Sequence, residues 1–155
     1  MGTVCDWQFL ENQFQKIRKN QRVVFTNGCF DILHVGHIRY LQEAKSQGDL
    51  LVVGLNTDES VKQLKGPERP IQNEADRAEI LAALKAVDYV TLFSESTPEK
   101  LIHVVHPDVL VKGGDWKPEQ IVGSSFVLSY GGEVKSLLFV NGKSSTSVIQ
   151  KIRQL

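Results

Sequence analysis

The sequence is poor in the residues that mark disulfide frameworks and membrane segments. Its 155 residues include only two cysteines, Cys5 and Cys29, which are too far apart for a two-cysteine redox motif and fit a reducing compartment. No apolar stretch approaches the length of a membrane-spanning helix, and Asp6 and Glu11 occupy the region where a signal peptide needs an apolar core. We therefore expect a cytoplasmic protein that does not insert into membranes.

The chain also has no excess of charge. Lys plus Arg and Asp plus Glu both number 18, so the formal net charge is zero. A neutral chain lacks the broad positive field that favours binding to nucleic acid, and we expect no nucleic-acid partner. With 41% hydrophobic residues, the chain is instead able to bury one sizeable core.

Two common nucleotide-binding motifs are missing. No G-x-G-x-x-G follows the first predicted strand, so a nicotinamide or flavin dinucleotide site of the usual kind is not expected. Gly142-Lys143-Ser144 resembles the end of a Walker A loop, but Leu137 stands where that motif has its first glycine. The segment also closes the chain instead of opening the first crossover.

Strand and helix patterns alternate along the chain. After a polar N-terminal helix at about 6–19, we predict strands at 22–26, 49–55, 89–93, 109–112 and 133–139. Helices are predicted at 35–47, 58–64, 74–86, 98–106, 118–130 and 145–154. This alternation predicts an α/β fold, a single-domain Rossmann-like, doubly wound sheet of about five parallel strands with helices on both faces. Residues 1–20 are expected to form a helical extension and residues 21–155 the main domain.

The most informative segment runs from the first strand into the first crossover helix. There Phe25-Thr26-Asn27-Gly28 leads to His34-Val35-Gly36-His37 at the predicted helix start; Gly28 is expected to make a tight turn. Free N–H groups and the positive end of the helix dipole favour an anion, and Gly36 lets a ligand approach the backbone. Both imidazoles can donate to phosphate oxygens that gain charge in a transition state. We therefore predict a phosphate site.

Zinc binding is the competing interpretation of two histidines three residues apart. His103 and His106 repeat the spacing, but they lack neighbouring glycines and precede Pro107 at a predicted helix end. That position is more typical of a helix-dipole partner or a plain surface residue. No cysteine or carboxylate completes a ligand set at zinc spacing, so we predict no metal ligand from the protein.

Two further segments follow strands whose ends should lie beside these histidines. In Lys112-Gly113-Gly114-Asp115-Trp116, two glycines allow a flat ligand close to the backbone. Residues 141–147 open the last helix with a run of hydroxyls, which can cap that helix or bind phosphate oxygens. The irregular stretch 65–70, between two helices, is a candidate mobile loop over the site.

These motifs resemble a known enzyme superfamily. Thr26 to Asp31, His34-Val35-Gly36-His37 and Ser145-Thr146-Ser147 are similar to the signatures of cytidylyltransferase-like nucleotidyltransferases. Residues 21–155, with segments such as Arg69-Pro70, resemble the nucleotidyltransferase half of bifunctional ADP-heptose synthases. Because the sugar-kinase half is absent, the resemblance implies a stand-alone D-glycero-β-D-manno-heptose 1-phosphate adenylyltransferase with a separate kinase upstream. It also assigns residues 21–155 to a nucleotidyltransferase domain.

The resemblance implies a reaction and its participants. The anomeric phosphate of the sugar attacks the α-phosphorus of ATP in line, and pyrophosphate leaves without a covalent enzyme intermediate. Mg²⁺ on the triphosphate is the implied cofactor, and ADP-heptose for lipopolysaccharide biosynthesis is the implied product. A homo-oligomer is expected, with a dimer favoured.

The resemblance further implies roles for individual residues. His34, His37 and Lys45 are the implied catalytic residues, and Lys45 and Lys112 are candidates for the substrate phosphate. The expected nucleotide-binding residues are Thr26, Asn27, Phe30, Asp31, His34, His37, Arg77, Gly113, Asp115, Ser145 and Thr146. For each charged residue, a solvated helix face or a surface ion pair is the alternative.

Two alternative functions stay open. Glycerol-3-phosphate cytidylyltransferases carry R-T-x-G-I-S-T-T, whereas this chain has Val140 in place of the Arg, which favours ATP over CTP. The other alternative is a nucleotide-binding regulator that lost activity. Intact His34, His37, Lys45 and Arg77 argue against it.

Overall fold

A single parallel sheet organises the chain in the computed structural model, which describes residues 1–138 and 144–155. The strands are β1 Thr3–Val4, β2 Val23–Gly28, β3 Leu50–Asn56, β4 Tyr89–Phe93, β5 Val109–Gly113 and β6 Glu133–Leu137. Their order is β1-β4-β3-β2-β5-β6, and all neighbours are parallel. The predicted α/β, doubly wound fold is confirmed, but the described sheet has six strands instead of five.

The strand that sequence reasoning missed is β1, at the edge of the sheet. Its two residues are both exposed, so their hydropathy carries no strand pattern. Thr3 pairs with Tyr89 of β4. The preceding Gly2 lies so close to the backbone before β4 that a Cβ on it would be 2.5 Å from the carbonyl oxygen of Val87. Close packing and pairing of the backbone therefore define this strand, and the hydropathy pattern of its side chains does not.

Helices cover both faces of the sheet. They are α1 Trp7–Phe9, α2 Gln15–Arg18, α3 Val35–Lys45, α4 Asp58–Lys65, α5 Glu74–Ala82, α6 Glu99–Val105, α7 Ser124–Ser129 and α8 Ser145–Arg153. A π-helical stretch, Leu10–Phe14, joins α1 to α2. None of the described helices combines the length and the apolar character that a bilayer crossing requires.

The helix predicted at 118–130 is wrong in one respect, because it is broken in the middle. A 3-10 turn, Pro118–Gln120, precedes an extended Ile121, and α7 begins only after Gly123, whose φ is 85°. A Cβ on Gly123 would lie 2.6 Å from Cδ1 of Ile102 in α6. The break therefore comes from tertiary packing against α6, which hydropathy does not reveal.

Two apolar cores lie on opposite faces of the sheet. One includes Leu41 of α3 and Leu81 of α5. The other includes Ile102 of α6 together with Leu10 and Phe14 of the N-terminal π-helical stretch, all three with no exposed surface. Residues near the N-terminus thus help to cover the sheet.

The winding of the chain reverses at β2. From β2 the chain crosses to β3 and β4 on one side, and it later returns to β5 and β6 on the other. In open α/β sheets, ligands bind beyond the carboxyl ends of the strands at such a switch point. This location lies between the ends of β2 and β5.

Candidate active site

A cavity of about 630 Å³ opens at the switch point, within the size range of small-molecule sites. Its walls come from the ends of β2 and β5, the start of α3, the end of α4 with the loop that follows, and the start of α8. The histidine turn, the end of β5 and the hydroxyl run therefore meet, as their positions after parallel strands require.

His34 and His37 line the cavity at the start of α3. Their rings are stacked, with centroids 3.9 Å apart. Nδ1 of His34 caps α3 by accepting a hydrogen bond from the N–H of Gly36 at 3.1 Å, so a neutral His34 carries its proton on Nε2. Nδ1 of His37 is buried and has no hydrogen-bond partner among the described residues. Both rings are placed to meet a ligand.

The protonation of His37 is set by its surroundings. Burial, followed by the neighbouring His34, lowers its pKa from 6.5 to about 4. His37 is therefore a neutral imidazole at pH 7. Because an anion beside the ring favours the charged form, a bound phosphate would pull this pKa upward.

The turn before the histidines differs from the expected one. Gly28 is the last residue of β2, and the residue with left-handed backbone is Phe30, with φ of 45°. A Cβ on Gly28 would lie 2.9 Å from the Phe30 ring, so this glycine makes room for the ring instead of forming the turn. The same ring meets His37 edge-on at 5.4 Å. Phe30 thus supports the histidine.

Asp31 borders the cavity, but its oxygens are engaged within the protein. Oδ2 accepts from Nε of Arg69 at 2.7 Å, and Oδ1 accepts from the N–H groups of Ile71 and Gln72 at 2.8 and 3.0 Å. Burial by itself would raise the pKa of Asp31, but these hydrogen bonds outweigh burial and lower it below the usual value. The ionised Asp31 ties the loop after α4 to the histidine turn.

Among the described residues, three cationic side chains line the cavity: Lys65, Arg69 and Lys112. Lys112 was predicted, and burial together with the nearby charge of Lys65 lowers its pKa. Lys65 and Arg69 were missed as site residues, although their loop was expected to lie over the site. Their position in the chain could have indicated them. Helix α4 follows β3, and the loop after α4 connects two helices beside the cavity.

Lys45 is not brought to the cavity. It is the last residue of α3, and its Nζ donates to Oδ2 of Asp88 at 2.5 Å and to the backbone carbonyl of Asp49. Both acceptors precede strands, so Lys45 lies at the amino edge of the sheet, opposite the histidines. A helix that begins at the carboxyl edge must end near the amino edge, and this direction separates Lys45 from His37.

Arg77 is likewise engaged elsewhere. Its side chain has no exposed surface, and its Nη1 donates to the carbonyl oxygens of Cys29 and Asn56 at 2.6 and 2.9 Å. Nη2 pairs with Asp58, and Nε donates to the carbonyl of Gln72. Arg77 therefore holds the ends of β2 and β3 together behind the cavity.

The remaining predicted residues divide between the cavity and its surroundings. Asn27 and Gly113 line the cavity. Thr26 is fully buried, with Oγ1 2.5 Å from the hydroxyl of Tyr40, a residue that does line it. Asp115 is exposed on the turn after β5 and does not line the cavity. Thr26 therefore joins β2 to α3 and does not face the ligand space.

The start of α8 brings Ser144, Ser145 and Thr146 to the cavity, and Ser144 also caps the helix. Oγ of Ser144 caps α8 by accepting from the N–H of Ser147 at 3.0 Å, while Ser145 donates to the carbonyl of Ile32 at 2.8 Å. Thr146 is exposed and lines the cavity, so capping does not depend on it. The preceding residues 139–143, which include Val140, lie outside the described residues.

The described ranges contain no group of three or more His, Cys, Asp or Glu that could hold a metal ion. The second histidine pair serves in packing. The His103 ring stacks on Phe126 and the His106 ring on Tyr130, with centroids 3.7 and 3.8 Å apart. His106 also ends α6 in the left-handed region.

Curated proteins similar to this chain include two bacterial examples. The chain is 61% identical over 135 residues to the "Bifunctional protein HldE" of Geotalea uraniireducens and 58% identical over 134 residues to that of Geobacter metallireducens. These alignments cover 87% and 86% of this chain but 28% and 27% of those proteins. The chain thus spans little more than a quarter of their length.

Solved structures show the same fold. A lipopolysaccharide core biosynthesis protein from Thermoplasma volcanium is 34% identical with a TM-score of 0.63, and the match covers 80% of this chain and 100% of that one. A pantothenate synthetase from Thermus thermophilus has a TM-score of 0.65 at 18% identity, over 96% of this chain and 67% of that one; this likeness shows the fold alone. Residues 25–151 match the family model described as Cytidylyltransferase-like. The chain therefore belongs to the cytidylyltransferase-like family of nucleotidyltransferases.

Proposed function

We propose that this chain transfers AMP from ATP to a sugar 1-phosphate, D-glycero-β-D-manno-heptose 1-phosphate, and releases pyrophosphate. The observation that carries the chemistry is the stacked pair His34 and His37 at the start of α3, facing a cavity lined by the cationic side chains of Lys65, Arg69 and Lys112. The heptose assignment is supported by the resemblance to ADP-heptose synthases, by the identity to HldE proteins and by the likeness to a lipopolysaccharide biosynthesis protein.

The proposed mechanism is positioning plus charge stabilisation. An oxygen of the sugar phosphate forms a bond to the α-phosphorus, and the bond from that phosphorus to the bridging oxygen of pyrophosphate breaks. The N–H groups of His34 and His37 would donate to phosphate oxygens as their charge grows. Lys65 and Lys112 would neutralise the phosphates, and Thr146 would donate its hydroxyl beside the N-terminus of α8.

Mg²⁺ is proposed as a cofactor that arrives on the triphosphate and neutralises part of its charge. The carboxylate that borders the cavity, Asp31, has both oxygens engaged by Arg69 and by two backbone N–H groups. Since the described residues build no carboxylate site, phosphate oxygens would hold the ion. The protein residues then orient the phosphates.

The deciding experiment is a substrate matrix. Pyrophosphate release would be measured with Mg²⁺ for ATP or CTP paired with heptose 1-phosphate or glycerol 3-phosphate. We expect kcat/KM to be highest for ATP with heptose 1-phosphate, because a site that pairs with one base edge leaves buried groups unpaired against another. Preference for CTP with glycerol 3-phosphate would overturn the substrate assignment. No release with any pair would overturn nucleotidyl transfer and leave a nucleotide-binding regulator.

A further inference from the structure

We infer that Arg69 is a phosphate-binding residue of this cavity and that Asp31 is the positioning residue that aims it there. The inference deepens the proposed function, and it rests on that function for the identity of the phosphate. The predicted contacts did not include Arg69, and Asp31 was expected to touch the nucleotide itself.

The first step concerns the guanidinium of Arg69. Its Nε is 2.7 Å from Oδ2 of Asp31, and the Arg69 side chain is 16% exposed while that of Asp31 is 1% exposed. Among the described residues, Asp31 alone accepts a hydrogen bond from this guanidinium. Four N–H donors on the two terminal nitrogens therefore remain for a ligand. Because Arg69 lines the cavity, those donors are available to a molecule bound there.

The second step is the contrast with Arg77, the other arginine of this region. Arg77 donates hydrogen bonds to three backbone carbonyls and one carboxylate, and its side chain has no exposed surface. Arg69 has one internal acceptor and borders open space. The two guanidiniums therefore have different roles. Arg77 holds strand ends together, and Arg69 keeps N–H donors for a ligand.

The third step is the balance of charge. Lys65, Arg69 and Lys112 line the cavity, and Asp31, its one carboxylate among the residues that the structure describes, is already shared by Arg69 and two backbone N–H groups. The described lining of the cavity therefore carries an excess of positive charge, which favours an anionic ligand. A fork of parallel N–H donors fits phosphate in a bidentate manner, so the ligand group is a phosphate of either the triphosphate or the sugar phosphate.

Asp31 matters because its carboxylate holds the guanidinium of Arg69 at Nε. Its second oxygen holds the N–H groups of Ile71 and Gln72, so one buried carboxylate sets both the loop backbone and the Arg69 side chain. An asparagine at position 31 keeps one oxygen for the loop but loses the charge that attracts Nε. Asp31→Asn should therefore release the guanidinium while preserving much of the loop.

The direct test is ligand binding by calorimetry at fixed salt, without turnover. Pyrophosphate, ATP and a sugar 1-phosphate would each be titrated into the wild type, Arg69→Ala, Arg69→Lys and the control Arg39→Ala, which removes an exposed arginine of α3. We expect Arg69→Ala to weaken binding of at least one phosphate ligand by roughly tenfold or more. Arg69→Lys should recover part of the loss, and Arg39→Ala should bind as the wild type. Unchanged affinities in Arg69→Ala would overturn the inference.

The pattern across ligands identifies the phosphate. Loss for ATP and pyrophosphate alone assigns Arg69 to the triphosphate, and loss for the sugar phosphate alone assigns it to the second substrate; either result supports binding. The positioning role of Asp31 is tested by a double-mutant cycle. Asp31→Asn should weaken binding in the wild type but add little in Arg69→Ala, whereas fully additive losses would show a separate structural role and refute the positioning.

Binding also separates this inference from the proposed function. A protein that binds pyrophosphate through Arg69 but releases none from any substrate pair would refute nucleotidyl transfer and retain the phosphate site. Conversely, normal turnover with unchanged binding in Arg69→Ala would retain the function and refute the site. Arg69→Ala and Arg69→Lys keep the inference testable even if Asp31→Asn does not fold.

Discussion

At the scale of single residues, the two histidines play different parts. His34 uses Nδ1 to cap α3, which orients the ring, whereas His37 keeps Nδ1 buried without a described partner. Leaving a buried nitrogen unpaired costs stability.

The lowered pKa of His37 gives a prediction about pH. The unfolded chain protonates this ring near pH 6.5 and the folded chain only near 4, so the unfolded state binds more protons between these values. Stability due to the neutral ring is complete above about pH 6.5 and is lost as pH falls towards 4. Urea unfolding should therefore show a free energy of unfolding that falls as the pH drops from about 6.5 towards 4 in the wild type. The fall should be smaller in His37→Gln.

NMR titration provides the control for this assignment. The His37 resonance should titrate near pH 4 in the free protein, and its pKa should rise when pyrophosphate is added. A ring that titrates near 6.5 in the folded protein, or an unchanged stability slope in His37→Gln, would contradict the burial argument.

Substitution of either catalytic candidate should affect kcat more than folding. His34→Ala or His37→Ala removes a donor to growing charge, so kcat should fall by roughly a hundredfold or more. The melting temperature reports whether each variant is folded, and Arg39→Ala on the same helix serves as the matched control. Near-normal kcat in a well-folded histidine variant would remove that residue from the mechanism.

The location of a residue at the cavity, as distinct from its role, follows from the sequence where the residue stands at or soon after a strand end. Asn27, His34 and Gly113 line the cavity because the carboxyl ends of parallel strands share one edge. The predictions for Lys45 and Arg77 relied on resemblance, and the structure places one at the opposite edge and the other behind the cavity. Arg69 stands on a loop whose position indicates the cavity, but a loop without periodicity does not reveal which of its side chains turn inward.

At the scale of elements, the start of α8 separates two roles that the sequence merged. Ser144 provides the cap and also borders the cavity, whereas Thr146 lines the cavity and takes no part in the cap. We predict that Ser144→Ala lowers the free energy of unfolding by about 1 kcal/mol. Thr146→Val keeps the shape of the side chain but loses a donor, so it should raise KM for the nucleotide with little change in stability.

Chemical unfolding and steady-state kinetics on the same two variants check this division. Ser144→Ala acts as the capping control for Thr146→Val because the two residues lie two positions apart on one helix start. If Thr146→Val lowers stability as much as Ser144→Ala and leaves KM unchanged, the hydroxyl run is structural at both positions.

At the scale of the whole molecule, the alternation of strands and helices was enough to predict the doubly wound sheet. Hydropathy marks strands of five to seven residues such as β3, a nearly continuous apolar run whose residues beyond the first are all buried. It does not mark β1, which has two exposed residues and is held by backbone pairing to β4. Nor does it reveal the break before α7, where packing of Gly123 against Ile102 decides the conformation.

The N-terminal segment gives the last prediction. Phe14 is fully buried, and its ring meets Tyr89 of β4 edge-on at 5.1 Å. If residues 1–20 stabilise the same cooperative unit as the sheet, Phe14→Ala should lower its free energy of unfolding by about 3–5 kcal/mol. Ile17→Ala, on the same segment but 46% exposed, should cost much less. Urea unfolding followed by fluorescence and by far-UV circular dichroism should give coincident single transitions. A separate early transition confined to the N-terminal segment, with the main transition unchanged in Phe14→Ala, would show instead that the segment folds as an independent extension.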